Sequence, residues 1–357
     1  MIVKFLKAHQ GDSILLSFND NENKPRNILI DGGMDGTYYS SSNGSYGQLK
    51  IEIEKIRNRK EKIDLLVLSH IDNDHINGLL RWFEDDQSVN EMIGNIWFNS
   101  GKLIAEYLKE PENRDLRIQL KENKSLVTGV TEALEFEKYL EKKDIWERRI
   151  IKKADYIEKF GLKINILTPT IKQLKKLLKE YKKRNQDNIY TSGRKKDWKT
   201  NLKDFINEES KEGFTFSQDS SVKNGSSIAM LIEYKKKNLL FLADSHPKEI
   251  VKSIKKLGYT YKKPLKVELF QVSHHGSKAN NNKDLFKIIK SNHYVISTDS
   301  TVHNHPHKRT LSRIININPE ATFYFNYESV RDNIFSERDF SDFKSFKAKI
   351  INEYSIY

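Results

Sequence analysis

The sequence predicts an α/β protein with two sheets and helices outside them. Three observations carry this expectation. The first hundred residues hold short apolar runs of strand length, the middle of the chain is helical and lysine-rich, and strand-like runs return after residue 226. A length of 357 residues allows one large domain with insertions or two smaller domains, and a chain this long can bury a substantial core.

The elements follow in order. VKFLKA (3–8) and SILLSF (13–18) flank the turn HQGD, and NILIDGG (27–33) ends on two glycines, so the three read as an antiparallel meander. IDLLVLSH (63–70) is almost continuously apolar, as expected of a strand covered on both faces. NGLLRWF (77–83) reads as helix and NIWFN (95–99) as strand, while residues 101–160 read as mostly helical or irregular. KINILTP (163–169) is a strand closed by proline. Beyond it Thr170 suits an N-cap, and Ile171, Leu174, Leu177, Leu178 and Tyr181 recur at helical spacing opposite a lysine face.

Residues 184–222 are polar without a sustained period and read as an insertion or mobile loop. SSIAMLIEY (226–234) and NLLFLAD (238–244), joined by three lysines, form a hairpin in outline. Ser245 and Pro247 then suit a helix start. VELFQVSHHGS (267–277) repeats a design of strand, histidines and glycine, and HYVIST (293–298) leads into HNHPH (303–307). We take residues 1–310 as one domain with an insertion over about 101–222. Residues 311–357, with aromatic TFYFNY and mixed-charge FSERDFSDFKSF, are expected to pack on it.

Composition narrows the function. The absence of cysteine excludes disulfides, thiolate zinc sites and a cysteine nucleophile. The N-terminal apolar run is too short, and too broken by Lys4 and Lys7, for a signal peptide, and no stretch reaches the ~18 apolar residues of a membrane span. A soluble cytoplasmic protein without membrane attachment is the expectation. The net charge is +13, and residues 171–200 carry 11 Lys/Arg against 3 Asp/Glu. That balance suits a polyanion such as nucleic acid, and Tyr181, Tyr190 and Trp198 lie among the cations where they could stack on bases. A lysine- and asparagine-rich bias on a solvated surface is the plainer alternative.

The chemistry gathers where strands end. SHIDNDHING (69–78) packs His70, Asp72, Asp74 and His75 into six positions, Asp244 closes a strand, and His274-His275 close another. Imidazole and carboxylate together bind zinc, manganese or iron. In His-x-Asp-x-Asp-His, residues two apart point the same way on extended chain, so His70 and Asp72 could grip one ion while Asp74 and His75 turn toward a second. Taken alone, DNDH also suits a surface turn or helix cap, and Asp244 a helix N-terminal carboxylate. Strand ends at one sheet edge converge, and convergence is what would turn these fragments into one site.

The order QGDS (10–13), LIDGG (29–33), SHIDNDHING, NGSSIAML (224–231), FLAD (241–244) and VSHHGS (272–277) resembles the metallo-β-lactamase-fold hydrolases, most of all the branch typified by the hydrolase domain of the competence protein ComEC. The resemblance implies a four-layer αββα sandwich with metals at one edge of the two sheets. It implies two divalent ions, zinc foremost and manganese as the competitor. His70 and Asp72 would serve the first, Asp74 and His75 the second, Asp244 would bridge them, and His275 fits a ligand position better than His274. His274 would line the pocket, and His305 would aid substrate binding or proton transfer. Asp12 and Asp31 would support the site. Asp72 stands where the wider family usually has a second histidine, and residues 76–243 contain no histidine to supply the family's further ligand.

The function so implied is a hydrolase whose nucleophile is water held on the metals. Asp74, Asp244, His274 and His305 belong to the catalytic group, and a phosphodiester of nucleic acid is the expected substrate. Lactone, thioester or phosphorylcholine ester hydrolysis is the alternative within the fold. A non-catalytic regulatory subunit docking a protein partner, or a homo-oligomer, is the alternative outside it.

Overall fold

A computed structural model describes residues 1–110, 129–142, 145–182 and 196–357. The first sheet runs in the spatial order Glu353–Ser355, Ile2–Phe5, Ile14–Asn19, Pro25–Ile30, Leu65–Val67 and Ile96–Trp97. Its early strands form the expected antiparallel meander, and the pairings from Pro25–Ile30 onward are parallel. The second sheet runs Lys347–Ile350, Thr322–Phe325, His293–Ile296, Leu269–Gln271, Lys237–Phe241, Ala229–Tyr234, Leu162–Thr168 and Tyr156–Lys159. It is parallel from Lys347–Ile350 to Lys237–Phe241 and antiparallel beyond.

Period-two alternation builds the layers. Ile14 and Leu16, Ile28 and Ile30, and Leu65 and Val67 face Ile164, Met230, Phe241 and Val295 of the other sheet in one buried cluster. The intervening Leu15, Leu29 and Leu66 face outward against the helices Gln48–Asn58 and Asn73–Asp85. On the far side, Leu231, Leu240, Phe270 and Phe323 pack on the helices Pro247–Lys256 and Lys308–Ile317. The result is a four-layer αββα sandwich, which explains why IDLLVLSH has no polar face. Among the described residues no helix is long and apolar enough to cross a membrane.

Several segments differ from the sequence expectation. Tyr156–Lys159 lies within the span expected to be helical or irregular, yet it is an edge strand. Its polar sequence shows no apolar face because an edge strand needs little of one. Residues 202–210, expected as loop, form a helix that buries Leu202 and Phe205, and the Leu202 amide donates to Asp339 Oδ1 at 2.7 Å. Two anchors in nine residues leave too little periodicity to detect. The interval 101–222 contains Leu162–Thr168, an interior strand of the second sheet, and the helix Ile171–Tyr181, whose N-cap is Thr170. Residues 311–357 contribute strands to both sheets, with Glu353–Ser355 beside Ile2–Phe5.

One buried carboxyl stands outside the histidine clusters. Glu137 is buried on the helix Val130–Glu141, where Ser100 Oγ donates to its Oε1 at 2.6 Å. Burial raises its pKa from 4.5 to about 7, against the lowering effect of the Ser100 hydrogen bond. A carboxyl raised on folding stabilises the fold in its protonated form. That contribution is complete below pH 4.5 and is lost as pH rises through about 7. Chemical denaturation of wild type and Glu137→Gln at pH 4.5 and pH 8 should show the variant gaining on wild type at the higher pH, by on the order of 2–3 kcal/mol. An unchanged difference between the two proteins would refute a neutral Glu137 in the folded state.

Candidate metal centre

The parallel strands of both sheets end at one edge of the sandwich. His70 follows Leu65–Val67, Asp244 follows Lys237–Phe241, His274 and His275 follow Leu269–Gln271, and Asp31 follows Pro25–Ile30. Hydrogen bonds stitch the two sheets together there. Ile228 N donates to the Ser69 carbonyl at 2.9 Å, Ser297 Oγ to the Gly11 carbonyl at 3.1 Å, and Gln271 Nε2 to Asp12 Oδ2 at 2.6 Å. Glycines permit the close approach. A Cβ on Gly11 would lie 1.8 Å from the Asp74 carbonyl oxygen, and one on Gly78 would lie 2.0 Å from that of Gly32.

The SHIDNDHING motif bends from strand into helix. Asp72 occupies the N-cap position of Asn73–Asp85, yet its side chain makes no capping hydrogen bond. It faces His70 Nε2 at 3.6 Å and pairs with Lys223. Asp244 is likewise no helix cap, because the next helix begins at Pro247 with His246 at its N-cap. Its two oxygens instead look in two directions. Oδ2 lies 3.6 Å from His70 Nε2 and 3.4 Å from His274 Nε2. Oδ1 lies 3.6 Å from His75 Nε2 and 3.8 Å from His275 Nε2. Asp74 closes the second group, with Oδ2 3.4 Å from His275 Nε2 and Oδ1 3.9 Å from His75 Nε2. The structure therefore brings together all six residues expected as ligands, and His274 with them.

Outer hydrogen bonds fix the imidazoles. His75 Nδ1 donates to Asp31 Oδ2 at 2.8 Å and His275 Nδ1 to the Ser297 carbonyl at 3.0 Å. Ser69 Oγ donates to Asp31 Oδ2 at 2.6 Å and so accepts from His70 Nδ1 at 3.0 Å. With Nδ1 protonated in each ring, Nε2 turns a lone pair toward the centre, the arrangement that metal-ligating histidines adopt. Asp31 thus orients two imidazoles from outside. Asp12 lies closer in. A carboxylate oxygen of Asp12, one of Asp244 and ring nitrogens of His75 and His275 lie within 4.8 Å of one another.

The residues fit divalent ions. His70 Nε2, His75 Nε2, His275 Nε2, Asp244 Oδ1 and Asp12 Oδ1 are buried without a hydrogen-bond partner among the described residues. An unsatisfied buried polar atom costs about 1–3 kcal/mol, and five around one centre call for a shared partner. Their spacing agrees. Two ligands about 2.1 Å from one ion at a tetrahedral angle stand roughly 3.4 Å apart, whereas hydrogen-bonded atoms would be closer.

Charge compensation shapes the titration of the same groups. Burial works against the charge on His75, but Asp31, Asp244 and Asp74 push its pKa well up, and Asp12, Asp244 and Asp74 overcome burial to raise His275 to about 9. Burial opposes the charge on Asp72 as well, yet His70 and Lys223 bring it down to about 2. His75 and His275 likewise hold Asp74 well below the carboxylate range against burial. Burial, then the neighbouring His274 and His307, keep His305 neutral, with its ring 4.7 Å from that of His274.

Sequence reasoning missed the supporting residues. Lys223 pairs with Asp72, Gln271 holds Asp12, and Asn280 and Asp219 stand behind His274. Lys223 directly precedes NGSSIAML and Asn280 lies six residues beyond His274, but these are ordinary polar residues whose role is set only by tertiary contact.

Residues 8–139 match the metallo-beta-lactamase superfamily model, a span that includes Asp12, Asp31 and the SHIDNDHING motif. Over that span, a little over a third of the chain, the sequence is similar to the metallo-β-lactamase superfamily, a class made up in general of metal-dependent hydrolases. No curated protein matches the chain in sequence. Among solved structures it is similar to a metallo-beta-lactamase from Cronobacter sakazakii bearing a mutated HARLDQ motif, at 12% identity and TM-score 0.30 over 71% of this chain and 72% of that one. It is also similar to CmlA, a diiron beta-hydroxylase from Streptomyces venezuelae, at 13% identity and TM-score 0.38, covering 99% of this chain and 54% of that one. A metallo-beta-lactamase from Staphylococcus aureus gives 9% identity and TM-score 0.35 over 98% of each chain.

Removing the support from His70 and His75 should weaken metal binding without removing a ligand. Asp31→Asn is expected to lower Zn2+ affinity by about 10–100-fold in calorimetric titration. Unaltered affinity would mean that Asp31 does not orient the site.

Proposed function

We propose that the chain is a two-metal phosphodiesterase that acts on nucleic acid. The observation that carries this reading is the division of Asp244, whose Oδ2 faces His70 while Oδ1 faces His75 and His275. A carboxylate turned toward two separate nitrogen groups suits a bridge between two ions. His70 and Asp72 would hold one ion, and Asp74, His75 and His275 the other. Zinc suits the imidazoles and manganese the carboxylates. When bound, such a pair supplies Lewis acidity toward a phosphoryl oxygen and acidifies water.

The chain's own residues supply the setting. Asp31 and Ser297 hold the inner rings, and His305 lies against His274. The cations near the site favour an anionic substrate. Lys223 stands at Asp72, while Trp198 donates from Nε1 to the Pro306 carbonyl at 2.8 Å with Lys196 over its ring. The basic segment 171–200 therefore ends beside the His305-Pro306 turn. Tyr181 is fully buried against the first sheet's helices and cannot stack on a base. Tyr190 lies outside the described residues, so Trp198 carries the stacking argument. The resemblance of the motif series to the ComEC branch supports nucleic acid over a lactone, thioester or phosphorylcholine ester.

The test is a hydrolysis panel of bis-nitrophenyl phosphate, single-stranded and duplex DNA, RNA and a lactone, run on metal-analysed wild type and Asp244→Ala. Phosphodiester cleavage is expected, and the substitution should lower it by at least about a hundredfold, since even outer-shell changes cost 10–100-fold. Turnover of the lactone alone, or full activity in Asp244→Ala, would overturn the assignment. Binding of single-stranded DNA should also fall by about tenfold or more between roughly 50 and 200 mM salt, since phosphate contacts release counterions. Salt-independent binding would remove nucleic acid as the substrate class.

A further inference from the structure

We infer that His274 is a protein ligand of the first metal and completes, with His70 and Asp72, the set around Asp244 Oδ2. This rests on the two-metal reading above and assigns to the first site a residue that the sequence placed in the pocket lining and the catalytic group but outside the ligand set. His274 Nε2 lies 3.4 Å from Asp244 Oδ2, and His70 Nε2 lies 3.6 Å from the same oxygen. Both spacings match the roughly 3.4 Å between two ligands of one tetrahedral ion. The two ends of Asp244 are then equivalent, since each oxygen faces two imidazole nitrogens. Without His274 the first ion would have His70, Asp72 and one bridging oxygen, a single nitrogen donor.

The proton on His274 is placed by its neighbours. Asn280 Nδ2 donates to Asp219 Oδ2 and to the Asp244 carbonyl, each at 3.0 Å, which fixes the amide so that its oxygen faces the ring. That Oδ1 accepts from His274 Nδ1 at 2.9 Å. The Nδ1 proton is therefore engaged, and the Nε2 lone pair points at Asp244, as in the three other imidazoles. Asp219 is itself held by the Ser221 amide and Asn224 Nδ2, each at 2.8 Å.

The backbone serves the same end. His274 and His275 both sit at positive φ, 48° and 51°, a region that costs a non-glycine residue about 1–3 kcal/mol. In extended chain, neighbouring side chains point to opposite faces. The left-handed pair instead delivers both rings to one carboxylate, His274 to Oδ2 and His275 to Oδ1. His305 also borders His274, with rings 4.7 Å apart, and is left outside the ligand set. Asn280 is a positioning residue, acting through His274.

Zinc stoichiometry and affinity test the assignment, read by elemental analysis and calorimetric titration with Zn2+ on full-length protein whose folding is checked by circular dichroism. Wild type should hold two equivalents, His274→Ala one, and His305→Ala two. Asn280→Ala should keep two, one of them bound about 10–100-fold more weakly. This last variant keeps the ring and covers the case in which His274→Ala does not fold. Two equivalents at wild-type affinity in His274→Ala would overturn the inference while leaving the two-metal reading intact. So would a single wild-type equivalent that the substitution leaves in place. A wild type that takes up no zinc or manganese would fail the two-metal reading itself, and this inference with it.

Discussion

The candidate site depends on an electrostatic constraint, the burial of Asp244 among other carboxylates. Asp12, Asp31 and Asp244 are almost wholly shielded from water, and Asp72 and Asp74 border them. Taking even one such charge out of water costs several kcal/mol unless positive charge stands nearby. Within the chain that charge comes from imidazoles, with Lys223 at Asp72, which is why His75 and His275 are raised while Asp72 and Asp74 are lowered. Divalent ions would fill the same electrostatic place and release those protons, since ligating histidines must be neutral. The groups whose charges are costly to bury together are the ones that would hold the metals.

The fold makes such a concentration tolerable by spreading its supports over many elements. Parallel strands of both sheets release their chain at one edge, and each loop brings one or two charged groups with their own hydrogen-bond anchors. Asp31 spans His75 and Ser69, Ser297 holds His275, and Gln271 holds Asp12. Most of these anchors come from another element than the group they orient, the exceptions being Ser69 beside His70 and Asn280 in the loop of His274. A shift of either sheet would therefore disturb several candidate ligands together, and the hydrogen bonds that join the sheets at this edge oppose that shift.

Much of this was legible in the residues. The strands Ile14–Asn19, Pro25–Ile30, Leu65–Val67 and Ala229–Tyr234 were visible because their apolar runs are bounded by polar or glycine-bearing turns, and Thr170 announced its helix. The histidines and aspartates were visible because such groups rarely cluster at strand ends. What stayed hidden depends on contacts between distant segments. Tyr156–Lys159 is too polar to read as a strand without its partner, and Leu202–Ser210 anchors itself with two apolar residues. Asn280 is chemically ordinary until the amide is seen between Asp219 and His274. Tyr181 misled in the opposite direction. Its place among lysines suggested a binding surface, whereas its helical register with Leu174, Leu177 and Leu178 put it in the core.

The pair His274-His275 shows why spacing alone could not divide the candidate ligands. Read as extended chain, only one of two adjacent histidines can face a given centre, and the second would be left to the pocket wall. The structure escapes that choice because both residues take left-handed backbone and because the target has two oxygens. A bidentate target needs two rings a few ångströms apart, and the ring centres stand 5.8 Å apart at 74°. The absence of histidine between residues 76 and 243 is thus compatible with a nitrogen donor at each end of Asp244, supplied by a turn that costs backbone strain and recovers it through the hydrogen bonds of Asn280 and Ser297.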